Sequence, residues 1–376
     1  MNSISTVIFL FLILIITGFL YNKYESKLLM NDTESDNLLI QKYLLGEDEN
    51  LETSKVPILW IYVPYEYNSR NWINFYSRSS FDLNQPYLYL TLKSIINQCK
   101  NSFKICIIDY AAFDKLLPGW KLNLERVPSP VSNKLVQLGL MNLLQKYGGM
   151  ICPLSFLCNR DLISMYEGGT ANNKMFVCEM VNQNVSATDY DFYPSLNFSG
   201  APKNCKTVCD LINYMQQTIS TDYTAQSIFV GDFDKWCQDR IQNNEINMVN
   251  GVNISTKSIE NQPVLIEDLM GNAPLKVSNG RYGIYIPSDH VLNRLQYQWF
   301  ARMSAKQVLE SDTIIGNYLL LANVPGPSNA VLEELKMRPN WVGFWKTPLY
   351  DGLYGVKPNF LGDNLLMEKY PGYQIS

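Results

Sequence analysis

Hydrophobic and polar positions alternate in blocks of recognisable period from residue 56 onward. "VPILWIYVP" (56–64) is a compact apolar run between prolines, as expected of a strand buried on both faces. "QPYLYLTLKSIINQC" (85–99) carries Pro86 near its start and spaces its apolar residues at helical intervals, which predicts the first helix of the body. "FKICIIDY" (103–110) reads as a second buried strand with Asp109 at its carboxyl end. "SPVSNKLVQLGLMNLLQKYGG" is the clearest helix. Leu135, Val136, Leu138, Leu140, Leu143, Leu144 and Tyr147 form a broad apolar face, and Asn133, Lys134, Gln137, Asn142, Gln145 and Lys146 a polar one. Ser132 is a candidate N-cap, and Gly148 is placed to end the helix in a left-handed conformation. "GMICPL" follows as a third strand.

Strand, helix, strand, helix, strand predicts an α/β fold with a Rossmann-like, mostly parallel sheet flanked by helices. Residues 103–109 and 150–154 are expected as adjacent parallel strands. Such sheets bind ligands outside the carboxyl ends of their strands, where Asp109 and the segment after Cys152 would lie. Further on, 173–181 reads as a strand, and 201–219 and 291–303 read as helices. The segment "RPNWVGFWKTPLYDGLYGVKPNF" is rich in aromatics, Gly and Pro and reads as irregular chain packed on the body.

The first residues have a different pattern. "STVIFLFLILIITGFLY" (5–21) carries no charge and is almost wholly apolar. About 17 such residues is the lower limit for a spanning helix, so the run predicts a single-pass anchor. The residues before it carry no Lys or Arg, and no small-residue cleavage site follows, which favours an uncleaved anchor over a signal peptide. A polar stretch rich in Asn, Asp, Glu and Ser then reads as a stalk. The expected organisation is anchor (1–22), stalk (23–55), α/β body (56–325) and C-terminal tail (326–376). Two signals oppose each other on orientation. Lys23 and Lys27 after the span place the body in the cytoplasm. The sequons at Asn31, Asn184, Asn197 and Asn253 suit a lumenal body in which those asparagines are glycosylation acceptors. An endomembrane or a virion membrane fits either way.

Composition narrows the chemistry. The net charge is −4 and no basic block stands out, so nucleic acid is not an expected partner. One histidine, His290, excludes a multi-histidine metal centre. The eight cysteines include no Cys-x-x-Cys pair; burial as small apolar side chains is the expectation, with Cys205 and Cys209 spaced to share a helix face. No Walker or Gly-x-Gly-x-x-Gly loop is present.

Taken in order, "VPILWIYVP", the helix at 85–99, "ICIIDYAAFDKLLPGW", "SNKLVQLGLMNLLQKYGGMI" and "NFSGAPKNCKTVCDLI" resemble the nucleotide-binding half of the DXD-type glycosyltransferases, the mannosyltransferase and capsular-polysaccharide-synthesis group. The resemblance covers residues 56 to 220. Together with "NSRNW" and "LNQPYLYLTLKSI", the pattern also looks like that of proteins of large DNA viruses whose role is not known. It implies a GT-A-like fold and a nucleotide-sugar pocket involving Tyr62, Asp109, Gln137, Gly148, Gly149 and Ser155.

Two departures put the family's activity in doubt. The family carries Asp-x-Asp after the Gly-Gly strand, where this chain reads Pro153, Leu154, Ser155. The family's helical Asp and Arg fall at Gln137 and Leu140. A departing nucleoside diphosphate needs its charge neutralised, usually by a carboxylate-held divalent ion. No cofactor is therefore expected. Mn²⁺ or Mg²⁺ enters only if Asp189 and Asp191, or Asp232 and Asp234, serve as a substitute pair. The sequence thus leaves three readings: a membrane-anchored glycosyltransferase-like protein with a degenerate donor site, a non-catalytic structural or binding protein of a viral membrane or capsid, and a cation-independent glycosyltransferase.

Overall fold

The computed structural model describes residues 43, 51, 54–63, 67–69, 79–83, 85–122, 124, 127, 131–182, 191–221, 232–294, 296–303 and 305–323. The chain forms two compact units, residues 1–46 and 47–376, and only Tyr43 of the first is described. The apolar run 5–21, the stalk up to residue 50 apart from Tyr43, and the aromatic tail lie outside the described residues. Among those described, no helix is long and apolar enough to cross a membrane.

The second unit is a mixed α/β body. Its central sheet contains β1 (Ile58–Tyr62), β4 (Lys104–Ile108), β5 (Gly149–Ile151), β7 (Met175–Val181), β8 (Phe192–Ala201) and β9 (Ile246–Val249), in the order β4-β1-β5-β8-β7-β9. β1 pairs in parallel with both β4 and β5; β8 runs antiparallel to β5 and β7; β7 and β9 are parallel. The described body also has two antiparallel ribbons, β2 (Tyr67–Ser69) with β3 (Ser79–Leu83), and β6 (Phe156–Cys158) with β10 (Gly283–Tyr285).

The helices are α1 (Tyr87–Cys99), α2 (Ala111–Leu116), α3 (Val131–Tyr147), α4 (Ile163–Gly169), α5 (Lys206–Thr221), α6 (Asp232–Gln242), α7 (Ile266–Met270), α8 (Ser288–Asn293), α9 (Gln298–Ala301), α10 (Ala305–Leu309) and α11 (Ile314–Asn323). The alternating apolar blocks are the core. Leu59, Trp60 and Ile61 of β1, Ile95 and Ile96 of α1, Leu143 and Leu144 of α3, and Phe176 and Val177 of β7 have no exposed surface.

Several expectations need correction. Residues 103–109 and 150–154 are parallel but not adjacent, because β1 lies between β4 and β5. The chain crosses from β4 over to the far side of β1, which makes the carboxyl ends of β1 and β5 a switch point of the sheet. The segment 291–303 is not one helix: α8 stops at Asn293, Arg294 is extended, and α9 begins at Gln298. The helix expected from residue 201 begins at Lys206, because Phe192–Ala201 is a strand that the apolar pattern did not reveal. Ser132 is the second residue of α3 rather than its cap. Cys205 is buried while Cys209 is exposed, so the two do not share a face.

Candidate functional site

The segment after β5 decides what the switch point can do. Pro153 is half-buried, while Cys152, Leu154 and Ser155 are 1%, 7% and 4% exposed. They form a tight turn, closed by the Phe156 N–H donating to the Pro153 carbonyl at 3.1 Å, that leads into β6. Both following carbonyls are held. The Thr91 hydroxyl of α1 donates to the Leu154 carbonyl at 2.6 Å, and the Ile286 N–H beside β10 donates to the Ser155 carbonyl at 3.1 Å. The turn Pro153–Ser155 is thus clamped backbone, buried at Leu154 and Ser155 and half-buried at Pro153.

The glycines before β5 serve the fold. Gly148 has φ 71° and ends α3, its N–H donating to the Leu144 carbonyl at 2.9 Å. Gly149 has φ 102°, and a Cβ there would stand 2.1 Å from the Ile58 carbonyl oxygen. Only glycine permits that φ and so close an approach to β1. Both sit at the amino end of β5, so the structure does not bring them to the carboxyl edge with Tyr62, Asp109 and Ser155.

Asp109 follows β4 and its Oδ1 accepts the Ala112 N–H at 2.9 Å, so the carboxylate starts α2. Tyr62 ends β1 and stacks on Phe113 with ring centroids 6.1 Å apart; Phe113 in turn packs on Trp120 at 5.4 Å. A Cβ at Gly139 would stand 2.9 Å from the Phe113 ring, so the glycine lets α3 approach it.

Gln137 and Leu140 separate in role. Leu140 is 6% exposed and belongs to the core. The Gln137 side-chain amide donates to Asn197 Oδ1 at 3.0 Å. Asn197 is placed by a bulge: Val177 pairs with Ser199 and Cys178 with Ser195, so Leu196, Asn197 and Phe198 are extra residues on β8. Phe198 packs edge-on against Phe156, ring centroids 4.9 Å apart, which ties the bulge to the turn after β5.

The substitute acidic pairs are described only in part. Asp189 and Asn184 lie outside them. Asp191 is exposed and its backbone carbonyl accepts the Asn182 N–H at 2.7 Å. Asp232 and Asp234 occupy the first turn of α6, where a negative charge suits the helix dipole. No group of three or more His, Cys, Asp or Glu among the described residues is placed to hold a metal ion. Asn253 is half-buried in a short 3₁₀ turn, and the hydroxyl-bearing residue of its sequon, Ser255, is buried with its Oγ donating to the Gly283 carbonyl at 2.9 Å.

A polar set that the sequence pattern did not single out adjoins the turn. Tyr285 of β10 pairs with Phe156, the residue after Ser155. Burial raises its phenol well above the ordinary value, with Tyr193 and Asp289 adding to the shift. Burial, then Asp234 and Asp289, push Tyr193 up to about 12. Tyr87 of α1 is raised by burial, then by Tyr285 and Asp289, and its hydroxyl donates to Gln85 Oε1 at 3.0 Å. These phenols stay protonated at neutral pH and are neutral donors with carboxylates nearby. They come from α1, β8 and β10, and no linear spacing marks such a group. His290 of α8 is half-buried, and burial followed by the Arg294 charge lowers its pKa.

No family model matches the chain, and no curated protein matches it.

Proposed function

We propose that this chain is a membrane-anchored glycosyltransferase-like protein of the GT-A type whose metal and donor site is degenerate. The sheet order, with β8 alone reversed and a switch point between β1 and β5, fits that class. The observation that carries the reading of degeneracy is the filled turn Pro153–Ser155, whose carbonyls are held by Thr91 and Ile286. A carboxylate-held divalent ion is the usual means of neutralising the departing diphosphate. Leu154 and Ser155 are packed against the body instead, and Leu140 replaces a charged group with core. Residues 5–21 supply the anchor.

The test is isothermal titration of residues 55–376 with nucleotide sugars, with and without Mn²⁺. The expected result is weak binding that the metal does not change. Tight, metal-dependent binding would return the protein to the metal-using enzymes.

A second reading is a cation-independent transferase. It is favoured by Tyr193 and Tyr285, neutral phenols of β8 and β10, the second paired with Phe156 directly after the same turn. Sugar transfer or donor hydrolysis that persists in a chelator, and falls at least about tenfold in Tyr193→Phe, would support that reading over the first.

A further inference from the structure

The turn after β5 is pinned to α1 at more than one point, and one of those points is a pair of thiols. Cys99 ends α1 and Cys158 ends β6; both are fully buried, and their sulfurs are 3.9 Å apart. The Ser94 hydroxyl of α1 accepts the Cys158 N–H at 2.9 Å, and Thr91 one turn earlier holds the Leu154 carbonyl. α1 and the 154–158 segment therefore already sit in fixed register. Cys152 and Cys178 lie nearby as further buried thiols.

We propose that Cys99 and Cys158 are a disulfide-forming pair that staples α1 to the segment carrying the turn Pro153–Ser155. Closing the contact needs the sulfurs to approach by about 2 Å, to a bond near 2.05 Å. The oxidant is an organic disulfide, either of a small thiol or of an oxidoreductase. One protein thiolate attacks it and releases the first thiol. The second protein thiolate then attacks the mixed disulfide and releases the other. Two protein thiols are oxidised, one external disulfide is reduced, and the two protons leave on the two released thiols. Attack needs a thiolate, and burial raises the Cys158 thiol. The bond therefore forms while the chain folds and both sulfurs are open to the oxidant, and slowly once the core has closed. The link would close a loop spanning 59 residues, long enough to constrain the unfolded chain substantially.

The test uses the full chain in detergent, refolded once in a buffer of reduced and oxidised glutathione and once in excess reductant. Free thiols are alkylated, and the protein is digested with trypsin and chymotrypsin so that cleavage at Phe156 separates Cys152 from Cys158. The expected result is a reductant-sensitive peptide pair joining Cys99 to Cys158 in the oxidised sample. The thermal unfolding midpoint should be about 5 °C or more higher than in the reduced sample. The oxidised and reduced forms of Cys158→Ser should unfold at the same temperature. Alkylation of all eight cysteines after oxidative refolding would overturn the proposal. So would a pair joining Cys152 or Cys178 in place of this one. The reading of the donor site plays no part in this outcome.

Discussion

Ser155 is the residue at which the proposed loss of a metal site can be tested. It is 4% exposed, and the backbone around it is held on both sides by α1 and the residues after β10. A carboxylate at that position would be buried, whereas in a metal site it would face an ion and water. Ser155→Asp should therefore destabilise the body by about 2–4 kcal/mol instead of creating a metal site. Leu140→Arg, which puts a charge in the core, should cost a similar amount because Leu140 is 6% exposed. Urea unfolding with and without Mn²⁺ measures both effects. A variant as stable as the parent, and stabilised further by Mn²⁺, would contradict this account.

At the scale of elements, β7 is joined to the turn that follows β9 by one buried acid. Glu179 Oε1 meets Lys257 Nζ at 2.8 Å, with the two side chains 10% and 12% exposed. Its Oε2 accepts the Gly251 N–H at 2.9 Å, and its backbone carbonyl accepts the Thr256 hydroxyl at 2.7 Å. Lys257 also lies 4.1 Å above the centre of the Phe192 ring, at the start of β8. Removing one partner strands the other charge. Glu179→Ala should cost about 3–5 kcal/mol, and Glu179→Leu combined with Lys257→Met much less than either change alone. Denaturant unfolding of the two single variants and the double variant checks this; additive costs would show that the pair is not a unit.

For the whole molecule, the tyrosines and thiols with raised pKa values predict a response to alkali. In the reduced protein, Tyr87, Tyr193 and Tyr285, and the thiols Cys152, Cys158, Cys178 and Cys237, are all raised, chiefly by burial. Their folded pKa values exceed the unfolded ones, near 9 for thiols and 10 for phenols. The stabilisation is complete below those values and is lost as pH rises above them, because only the unfolded chain then releases its protons. The thermal midpoint should be level with respect to these groups between pH 7 and 8.5. It should fall progressively above about pH 9, and more steeply above about 10, as the phenols join. Replacing Tyr193 by Phe should make the decline between pH 10 and 12 shallower; an unchanged slope would mean that this phenol is accessible in the folded state.

The sequence by itself determined the main elements of the first half of the body, though not the β2–β3 ribbon or α2. β1, α1, β4, α3 and β5 were legible because each buries its side chains with a clear local period, and Gly148 marked the end of α3 by the left-handed turn it permits. It also showed that no carboxylate follows the Gly-Gly strand. Tertiary structure alone decided the strand order, since a local pattern says that a strand is buried but not which neighbour it pairs with. β8 was hidden because Phe192–Ala201 carries Pro194 and a bulge, which break the alternation that would have announced it. The Gln137–Asn197 bond, the gathering of Tyr87, Tyr193 and Tyr285, and the Cys99–Cys158 contact each join residues far apart in the chain. They depend on how separate elements are stacked, which no single segment's period encodes. The glycines of Tyr147-Gly148-Gly149 were legible as residues and misplaced as a site: close packing against Ile58 and Lys203, visible only in three dimensions, is why both are glycine.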